Sequence, residues 1–326
     1  MSTYQTLKGL KVKFLGADTS GDRIKKGEIF YNSVAEGKVK VFVGVAAWAS
    51  GGNLNRGSRF GGGLGTQTTM VKFSGPGHEL ETEEYNGSSW TNVNDTNDNH
   101  ATCASFGTLT AGVAAGGHKS PTPRARVDTE EYDGTTWTNA EDMPAGRQAP
   151  QGAGTLTAGI IMGGVLDPPS DRIAGSFEYD GTDWTAGGDM NTTRSGNNSA
   201  GGTQTAAWII GGPKSGVNSE EYNGTAWTEG NNIGTSRYCC AGAGPQINAQ
   251  IAGGSNDNQT VISNKTEFYD GTTWTEGANI GTARYGIHNS PAGTGTSSTI
   301  AGGGPGAKTN TEEFSISDTL RAIDFD

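Results

Sequence analysis

The sequence predicts an all-β fold, a six-bladed β-propeller with four strands per blade, and three observations support this prediction. Only 32% of the 326 residues are hydrophobic and 17% are charged, whereas 54 are glycine. Short apolar runs end repeatedly in Gly-Gly, and an aromatic phrase recurs at spacings in the forties. Such a composition suits short strands joined by tight turns. A period of this length with four strands per unit is typical of propeller blades.

The aromatic phrase, Glu-Tyr-(Asn/Asp)-Gly-x-x-Trp-Thr, is the most regular feature of the chain. The spacings between consecutive motif tryptophans are 47, 47, 43 and 47 residues. The Asn-Gly or Asp-Gly pair predicts a tight hairpin turn between two strands, because these residues accept positive φ. A fifth copy begins with Phe268 instead of Glu, and the copies occupy residues 84–91, 131–138, 178–185, 221–228 and 268–275.

A second phrase precedes each aromatic phrase and reads Gly-Thr-x-Thr, an apolar run, and then Gly-Gly. Clear copies of this phrase begin at Gly107, Gly154 and Gly202. Looser copies begin at Gly65, Gly244 and Gly293. The two phrases together divide each unit into strands a, b, c and d. In the fifth unit these strands are predicted at residues 237–242, 249–254, 265–270 and 273–276.

The two ends of the chain are predicted to complete one blade together. The last aromatic phrase ends at Phe314 with no tryptophan after it, and Trp48 lies in a strand with no earlier strands of its own unit. We therefore expect blade six to take strands a to c from the C-terminal end and strand d from the N-terminal end. This arrangement closes the ring and removes free sheet edges, which promote aggregation. An open array of five blades with frayed ends is the alternative.

The repeat divides the chain into an N-terminal arm with a β-hairpin at residues 1–43, the propeller at 44–317, and a C-terminal tail at 318–326. Apolar residues alternate on either side of a Glu-Gly pair within residues 28–42, which predicts the hairpin. The closing strand of the ring can extend this hairpin. We expect residues 1–20 to dock on the ring or on another subunit.

Charge and composition exclude several classes of function. The net charge is −11 and the pI is about 4.9, which disfavours nucleic-acid binding because that needs clustered Lys and Arg. No segment approaches the roughly 18 apolar residues of a membrane span, and the N-terminus lacks the apolar core of a signal peptide. We therefore expect a soluble protein without membrane insertion that is made in a reducing cytoplasm.

The sequence predicts no catalytic residue, no metal site and no cofactor, so we expect a protein that is not an enzyme. The four histidines have no metal-ligand spacing, and neither HExxH nor CxxC occurs. The Gly-rich stretches lack the Gly-Lys-Ser/Thr of a phosphate-binding loop. Paired glutamates recur at one place in the repeat, which indicates a structural role on strand c. The three cysteines are expected to be free thiols in packing positions.

Recurring aromatic residues are expected to pack between adjacent blades, because their large surface offsets the small cores of short strands. A sugar-stacking role for one tryptophan is the alternative, and Trp208 lies outside the pattern and is expected to fill a gap in the ring. We assign the structural role to Trp48, Trp90, Trp137, Trp184, Trp227 and Trp274, and to Tyr85, Tyr132, Tyr179, Tyr222 and Tyr269. A further set near the start of strand a is expected to donate to turn carbonyls, namely Arg59, Arg147, Arg194, Arg237 and Arg284, with His100 near the same position in unit two.

One face of the ring is expected to meet a partner. In four antiparallel strands the b–c and d–a loops lie on the same face, and variation in length falls almost entirely in these loops, notably at 118–127, 165–175, 255–264 and 92–99. Binding residues concentrate on loops that a rigid scaffold holds. Solvated linkers without a partner are the alternative. The candidate partner-binding residues are His118, Lys119, Arg124, Arg126, Asp167, Asp171, Arg172, Asn256, Asp257 and Asn258.

An apolar strand ending in Gly-Gly, then a Tyr, then a Trp at a fixed offset resembles the repeat of the Kelch family across residues 44–317. Kelch propellers include substrate adaptors, actin binders and a copper oxidase. This chain shows neither the helical domain of the adaptors nor a Tyr, His and Cys constellation for copper. The phrase TEFYDGTTWTEG at residues 266–277 and its copies in the other repeats are similar to Kelch-like repeat proteins of marine tailed bacteriophages. The segments KGLKVKFLGADTSGD and GEIFYNS resemble the start of phage tail and appendage proteins.

This resemblance implies a non-enzymatic structural protein of the virion, assembled in the host cytoplasm and present in multiple copies. It implies a tail-associated fibre or receptor-binding part, whose N-terminal arm binds other virion proteins. The loop face would then meet a glycan or protein of the host surface. A capsid decoration protein and a free glycan-binding or glycan-cleaving propeller are the alternatives.

Overall fold

The computed structural model describes residues 13–15, 29–32, 38–75, 80–119, 122–167, 171–195, 198–212, 216–256, 259–287 and 292–323. The described residues form β-strands joined by turns and loops, with no helix among them. The first strands are β1 (Lys13–Leu15), β2 (Ile29–Asn32) and β3 (Lys38–Ser50). Blade 1 comprises β4 (Gly62–Gly65), β5 (Met70–Phe73), β6 (Thr82–Tyr85) and β7 (Trp90–Val93).

The remaining strands follow the same pattern along the chain. Blade 2 has β8 (Ala104–Thr108), β9 (Ala111–Ala115), β12 (Thr129–Tyr132) and β13 (Trp137–Asn139), with β10 (His118–Lys119) and β11 (Thr122–Ala125) in its b–c loop. Blade 3 has β14 (Gln151–Thr155), β15 (Ala158–Met162), β16 (Ser176–Tyr179) and β17 (Trp184–Ala186). Blade 4 has β18 (Asn198–Thr203), β19 (Ala206–Gly211), β20 (Ser219–Tyr222) and β21 (Trp227–Glu229). Blade 5 has β22 (Ala241–Ala243), β23 (Ala249–Ala252), β24 (Thr266–Tyr269) and β25 (Trp274–Glu276), and the last strands are β26 (Ala292–Thr294), β27 (Ser297–Ala301) and β28 (Thr311–Ile323).

Each blade is a four-stranded antiparallel sheet, and the six blades form a β-propeller, as the sequence predicts. In blades 1 to 5 the four strands of a sheet follow one another along the chain as a, b, c and d. Blade 6 combines β26, β27 and β28 with β3 from the other end of the chain. The amide of Gly51 donates to the carbonyl of Thr311 at 3.0 Å where these two strands pair. The predicted closure by the N-terminal strand is therefore confirmed, and the open five-blade array is excluded.

The chain divides into two compact units, Trp48–Phe314 and a terminal unit of Met1–Ala47 with Ser315–Asp326. In the terminal unit β2 pairs antiparallel with β3, with Ile29 opposite Val41, which is the hairpin expected within residues 28–42. Strand β1 pairs parallel with β2. The turn of the hairpin and most of residues 1–20 lie outside the described residues. Strand β3 extends without interruption from the hairpin to Ser50.

Strand b of each blade carries most of the apolar core. Ile160, Ile161 and Met162 are all fully buried in β15. The sequence of a strand that is covered on both faces is a continuous apolar run, because the side chains on each face pack against another sheet. Strand d is different: in β17 Trp184 is buried and the two residues after it are exposed. The blades therefore pack face to face through strands b and c and through the tryptophan that begins strand d, whereas the rest of strand d is exposed at the outer edge.

The Gly-Gly pair turns the chain out of strand b. Gly163 and Gly164 have φ of 66° and 108°, a region that residues with a Cβ rarely adopt. A Cβ built on Gly163 would lie 2.6 Å from the carbonyl oxygen of Arg194 in the next blade. The pair is thus required both by its conformation and by the close approach of the neighbouring blade. In blade 1 the first position of the pair is Ser74, which has a φ of 54°.

Candidate functional site

A tyrosine–glutamate hydrogen bond joins successive blades at strand c. The hydroxyl of Tyr132 in blade 2 donates to Oε1 of Glu84 in blade 1 at 2.6 Å. Burial and the neighbouring Glu313 raise the pKa of Tyr85 to about 12, so the hydroxyl keeps its proton at neutral pH. The bond recurs at five of the six junctions, in the pairs Tyr85–Glu313, Tyr132–Glu84, Tyr179–Glu131, Tyr222–Glu178 and Tyr269–Glu221.

The junction between blades 5 and 6 replaces both partners of this bond. Phe314 stands at the tyrosine position and Phe268 stands at the glutamate position. Their ring centroids are 5.0 Å apart, and Trp48 packs against Phe314 at 5.3 Å. An apolar pair at this place leaves neither a buried hydroxyl nor a carboxylate without its partner.

The repeat tryptophans also span two blades. Each ring from Trp90 onward lies beside the tyrosine of its own blade, as Trp184 lies 4.6 Å from Tyr179 between centroids. Where the preceding blade has a threonine at the start of strand c, the indole N–H donates to its hydroxyl. These pairs are Trp48–Thr266, Trp90–Thr311, Trp137–Thr82 and Trp184–Thr129. Trp227 donates to the carbonyl of Gly188 instead, because Ser176 directs its own hydroxyl to that carbonyl.

The first glutamate of each pair is buried and holds the d–a loop that enters its blade. Glu130 accepts hydrogen bonds from the amides of Asn97 and Asp98, each at 2.8 Å. A carboxylate in the same position holds the loop in five blades, namely Glu83, Glu130, Glu220, Glu267 and Glu312. The paired glutamates therefore have two structural roles, one within a blade and one between blades.

Buried arginines complete this arrangement in blades 4, 5 and 6. Nη2 of Arg194 lies 3.0 Å from Oε1 of Glu220, and Nη1 donates to the carbonyl of Gly211. The Arg194 side chain has no exposed surface, and burial lowers its pKa. The same contacts join Arg237 to Glu267 and Arg284 to Glu312. These arginines donate to turn carbonyls, as expected, and they also neutralise the buried carboxylates.

Blades 2 and 3 vary this arrangement. In blade 2 His100 takes the arginine position, with Nδ1 3.0 Å from the carbonyl of Gly116 and Nε2 2.9 Å from Glu130. In blade 3 Arg147 is present but Phe177 replaces the glutamate, and the guanidinium carbon lies 4.1 Å from the centre of that ring. A cation over an aromatic face is stabilised by the ring quadrupole. Burial lowers the pKa of Arg147 to about 10.

The expectation that Arg59 is the recurring arginine of blade 1 is wrong. The residue at that structural position is Ser58, whose amide donates to the carbonyl of Lys308, as the amide of Arg147 donates to that of Arg126. Arg59 is the next residue, and its guanidinium lies over the ring of Phe60 instead. The d–a loop of blade 1 differs in sequence from the other d–a loops. Residue spacing alone therefore assigned the arginine position to residue 59, one residue after its true place at Ser58.

The loops proposed for partner binding bond extensively to one another. In the b–c loop of blade 2, Nδ1 of His118 lies 2.9 Å from Oγ1 of Thr102. Arg126 pairs with Asp98 at 2.9 Å and with Asp128. The carboxylate of Asp167 in blade 3 accepts a hydrogen bond from the amide of Ala125 at 2.5 Å. Lys119 and Arg124 belong to strands β10 and β11 of the same loop.

The other candidate loop residues lie in blades 3 and 5. Arg172 donates from Nε to the hydroxyl of Ser195 at 3.1 Å, and Asp171 is exposed. The side chain of Asn256 holds its own loop by accepting from the amides of Thr260 and Val261. Asp257 and Asn258 lie outside the described residues. The structure thus assigns a local structural contact to most of the described candidates.

A cavity lies where the innermost strands of the blades converge. It has a volume of about 280 Å³, and much of its lining is glycine backbone from strands a. Phe106, Gln151, Ser199 and Cys240 also line it, and the lining described for it includes no Asp, Glu, Lys, Arg or His. The cavity is therefore uncharged and offers mainly backbone groups and small side chains.

The described residues hold no cluster of three or more His, Cys, Asp or Glu side chains that could bind a metal. All three cysteines are buried and form no disulfide, and burial raises the pKa of Cys103 to about 12 and that of Cys240 to about 11. Within the described part of the chain there is no helix long and apolar enough to span a bilayer. No protein-family model matches this chain, and no curated protein matches it either.

Proposed function

We propose that this protein is a non-enzymatic structural component of a phage virion, associated with the tail, whose propeller contacts a host-surface glycan or a partner protein. The observation that carries the proposal is the joint role of the two chain ends. Strands β3 and β28, each of 13 residues, belong to blade 6 and continue into the terminal unit. A propeller held by two continuous strands suits a part that is anchored to a larger assembly.

The character of the loop face supports the contact role. Isolated β-bridges join the loops of neighbouring blades, for example Arg126 with Arg147 and Ile173 with Arg194. Loops that are fixed in this way lose little conformational entropy on binding, which favours recognition by a preformed surface. Exposed side chains on these loops include Asp171 and Val261, and Val261 is 66% exposed. The repeats resemble those of phage propellers, and for this reason we propose the virion as the assembly in which this surface acts.

Deletion of residues 1–37 tests the anchoring role. This change removes β1 and β2 and leaves Trp48–Ser50 in place to close the ring. We expect the variant to unfold at the same temperature as the full chain and to be missing from purified virions. Incorporation of the variant at the level of the full chain would contradict the proposal.

Two measurements on the full chain test the location and the chemistry. Gold-labelled antibody against the propeller is expected to mark the tail in electron micrographs, and labelling over the capsid would instead support a decoration protein. Incubation with host-surface polysaccharide is expected to give binding without release of sugar. Release of sugar that tracks with the pure protein would contradict the non-enzymatic role.

A further inference from the structure

Blade 1 contains a small, partly open cavity at the place where the other blades carry a cationic or imidazole side chain. Arg194, Arg237 and Arg284 reach the buried glutamate of strand c in blades 4, 5 and 6, and His100 reaches it in blade 2. Ser58 has the same backbone position in blade 1, but its side chain is too short to fill this space. The remaining cavity measures about 10 Å³. A cavity on the order of 10–15 Å³ by this measure is the smallest that holds one water molecule.

Six polar side chains line this cavity, and four of them, Ser58, Lys72, Ser74 and Glu83, are buried, whereas the other two are Arg56 and Glu81. The hydroxyl of Ser58 makes no hydrogen bond to any described residue, although Ser58 is only 7% exposed. Lys72 and Glu83 also line the cavity, are 3% and 7% exposed, and lie opposite each other on β5 and β6. The described contacts include no ion pair between them. Lys72 donates from Nζ to the carbonyl of Gly61 at 2.8 Å.

The carboxylate of Glu83 also has room for another donor. Its Oε2 accepts from the backbone and side-chain amides of Asn55, and its Oε1 accepts from the amide of Arg56 at 3.2 Å. In blade 4 the equivalent Oε1 of Glu220 accepts from an amide and from two nitrogens of Arg194. Glu83 thus keeps the bonds that hold the loop and has no guanidinium on Oε1.

We propose that this cavity is a binding site for one ordered water molecule, which joins Ser58, Lys72 and Glu83 in place of the arginine of the other blades. A buried water typically makes about three hydrogen bonds to groups that would otherwise be unsatisfied. Glu83 accepts a hydrogen bond from the water, Lys72 donates one to it, and the Ser58 hydroxyl completes its bonds. A metal ion or ammonium ion fits less well, since the lysine that lines the cavity brings its own positive charge when it is protonated.

The substitution Ser58→Ala tests the site by the sign of its effect on thermal unfolding. With water bound, the change deprives the water of a partner, and Tm falls by about 2 °C or more. Without water, the change removes an unsatisfied buried hydroxyl, and Tm rises. A rise would therefore overturn the proposal.

Ser255→Ala is the matched control. Ser255 is 2% exposed, its hydroxyl has no hydrogen-bond partner among the described residues, and it lines neither this cavity nor the central one. We expect its Tm to stay the same or to rise. An equal fall in both variants would show that loss of any buried serine hydroxyl has this effect, and it would overturn the assignment to bound water.

A crystal structure of the full chain at high resolution tests the site directly, whether or not the variants fold. We expect one solvent peak in the cavity, at about 2.7–3.2 Å from the three side chains. The structure of Ser58→Arg is expected to show the guanidinium beside Glu83 and no solvent peak there. An empty cavity in the unaltered protein, or a metal ion in it, would overturn the proposal.

Discussion

Single side chains provide much of the contact between blades. At the junction of blades 5 and 6, both partners of the tyrosine–glutamate hydrogen bond are replaced together. Every other junction joins a tyrosine hydroxyl to a glutamate, whereas this one packs Phe268 against Phe314. A change of one partner alone would leave a polar group without its bond. A buried donor or acceptor that loses its partner costs about 1–3 kcal/mol, so the two positions are energetically coupled.

The substitution Phe314→Tyr is expected to lower the free energy of unfolding by about 1–3 kcal/mol, because its new hydroxyl would face the ring of Phe268. Adding Phe268→Glu is expected to recover at least half of this loss by restoring the bond of the other junctions. Urea unfolding of the two single variants and the double variant measures the coupling. Additive effects of the two changes would contradict the coupled exchange.

The burial of Lys72 is expected to make the free energy of unfolding depend on pH. Burial lowers its pKa from 10.5 to about 7, so between these values the unfolded chain binds more protons at this position than the folded chain. Its contribution to the free energy of unfolding therefore rises as the pH increases from about 7 to about 10.5, by a few kcal/mol at most. We expect Lys72→Met to flatten this rise, as measured by urea unfolding at pH 6, 8 and 10. If the free energy of unfolding of Lys72→Met rose with pH as steeply as that of the unaltered protein, the rise would not come from the buried amine of Lys72.

At the scale of elements, the strand c glutamate and the arginine that precedes strand a bind a blade to its entering loop where both residues are present. The pair is complete in three blades, and blade 3 keeps Arg147 while Phe177 replaces the carboxylate. Breaking a buried ion pair is costly because it leaves one charge without compensation. The blades therefore differ in how much they depend on the same arginine.

The matched substitutions Arg194→Met and Arg147→Met measure this difference. The first leaves Glu220 buried and without its cation, and we expect a loss of about 3–5 kcal/mol. The second leaves no such carboxylate, since Phe177 packs there, and we expect a loss smaller by at least about 1 kcal/mol. The free energies of unfolding in urea give both values. Equal losses of unfolding free energy in the two variants would show that the arginine stabilises the blade mainly through its hydrogen bonds to carbonyls and not through the ion pair.

At the scale of the whole molecule, the ring depends on a strand from the opposite end of the chain. Trp48 in β3 donates to Thr266 of blade 5, and the amide of Gly51 donates to Thr311 of blade 6. Without this strand, β28 would present an unpaired edge. Open edges of this kind promote association between chains.

Deletion of residues 1–50 is therefore expected to produce aggregation, in contrast to the deletion of residues 1–37. The longer deletion removes β3 with Trp48, so blade 6 loses strand d and the ring loses its closure. Light scattering and size-exclusion chromatography at equal concentration compare the two variants. A monomeric product with unchanged Tm from the longer deletion would contradict the role of β3 in closing the ring.

The sequence alone determined the number of blades, the order of their strands and the closure by both chain ends. These features follow from local patterns, namely the glycine pairs with positive φ, the Asx-Gly turns and the fixed Tyr–Trp offset, which act within a few residues. The repeat also indicated that the glutamate pairs are structural, since an equivalent environment recurs in most blades.

The tertiary structure decided which side chains meet across blades. That Ser58 and not Arg59 holds the arginine position depends on the path of one loop, which residue spacing does not fix. The exchange of Tyr and Glu for Phe314 and Phe268 joins residues from different blades, and the contacts of Asp167 and Arg172 join separate loops. Such pairs are distant along the chain, and only the packing of the closed ring brings them together.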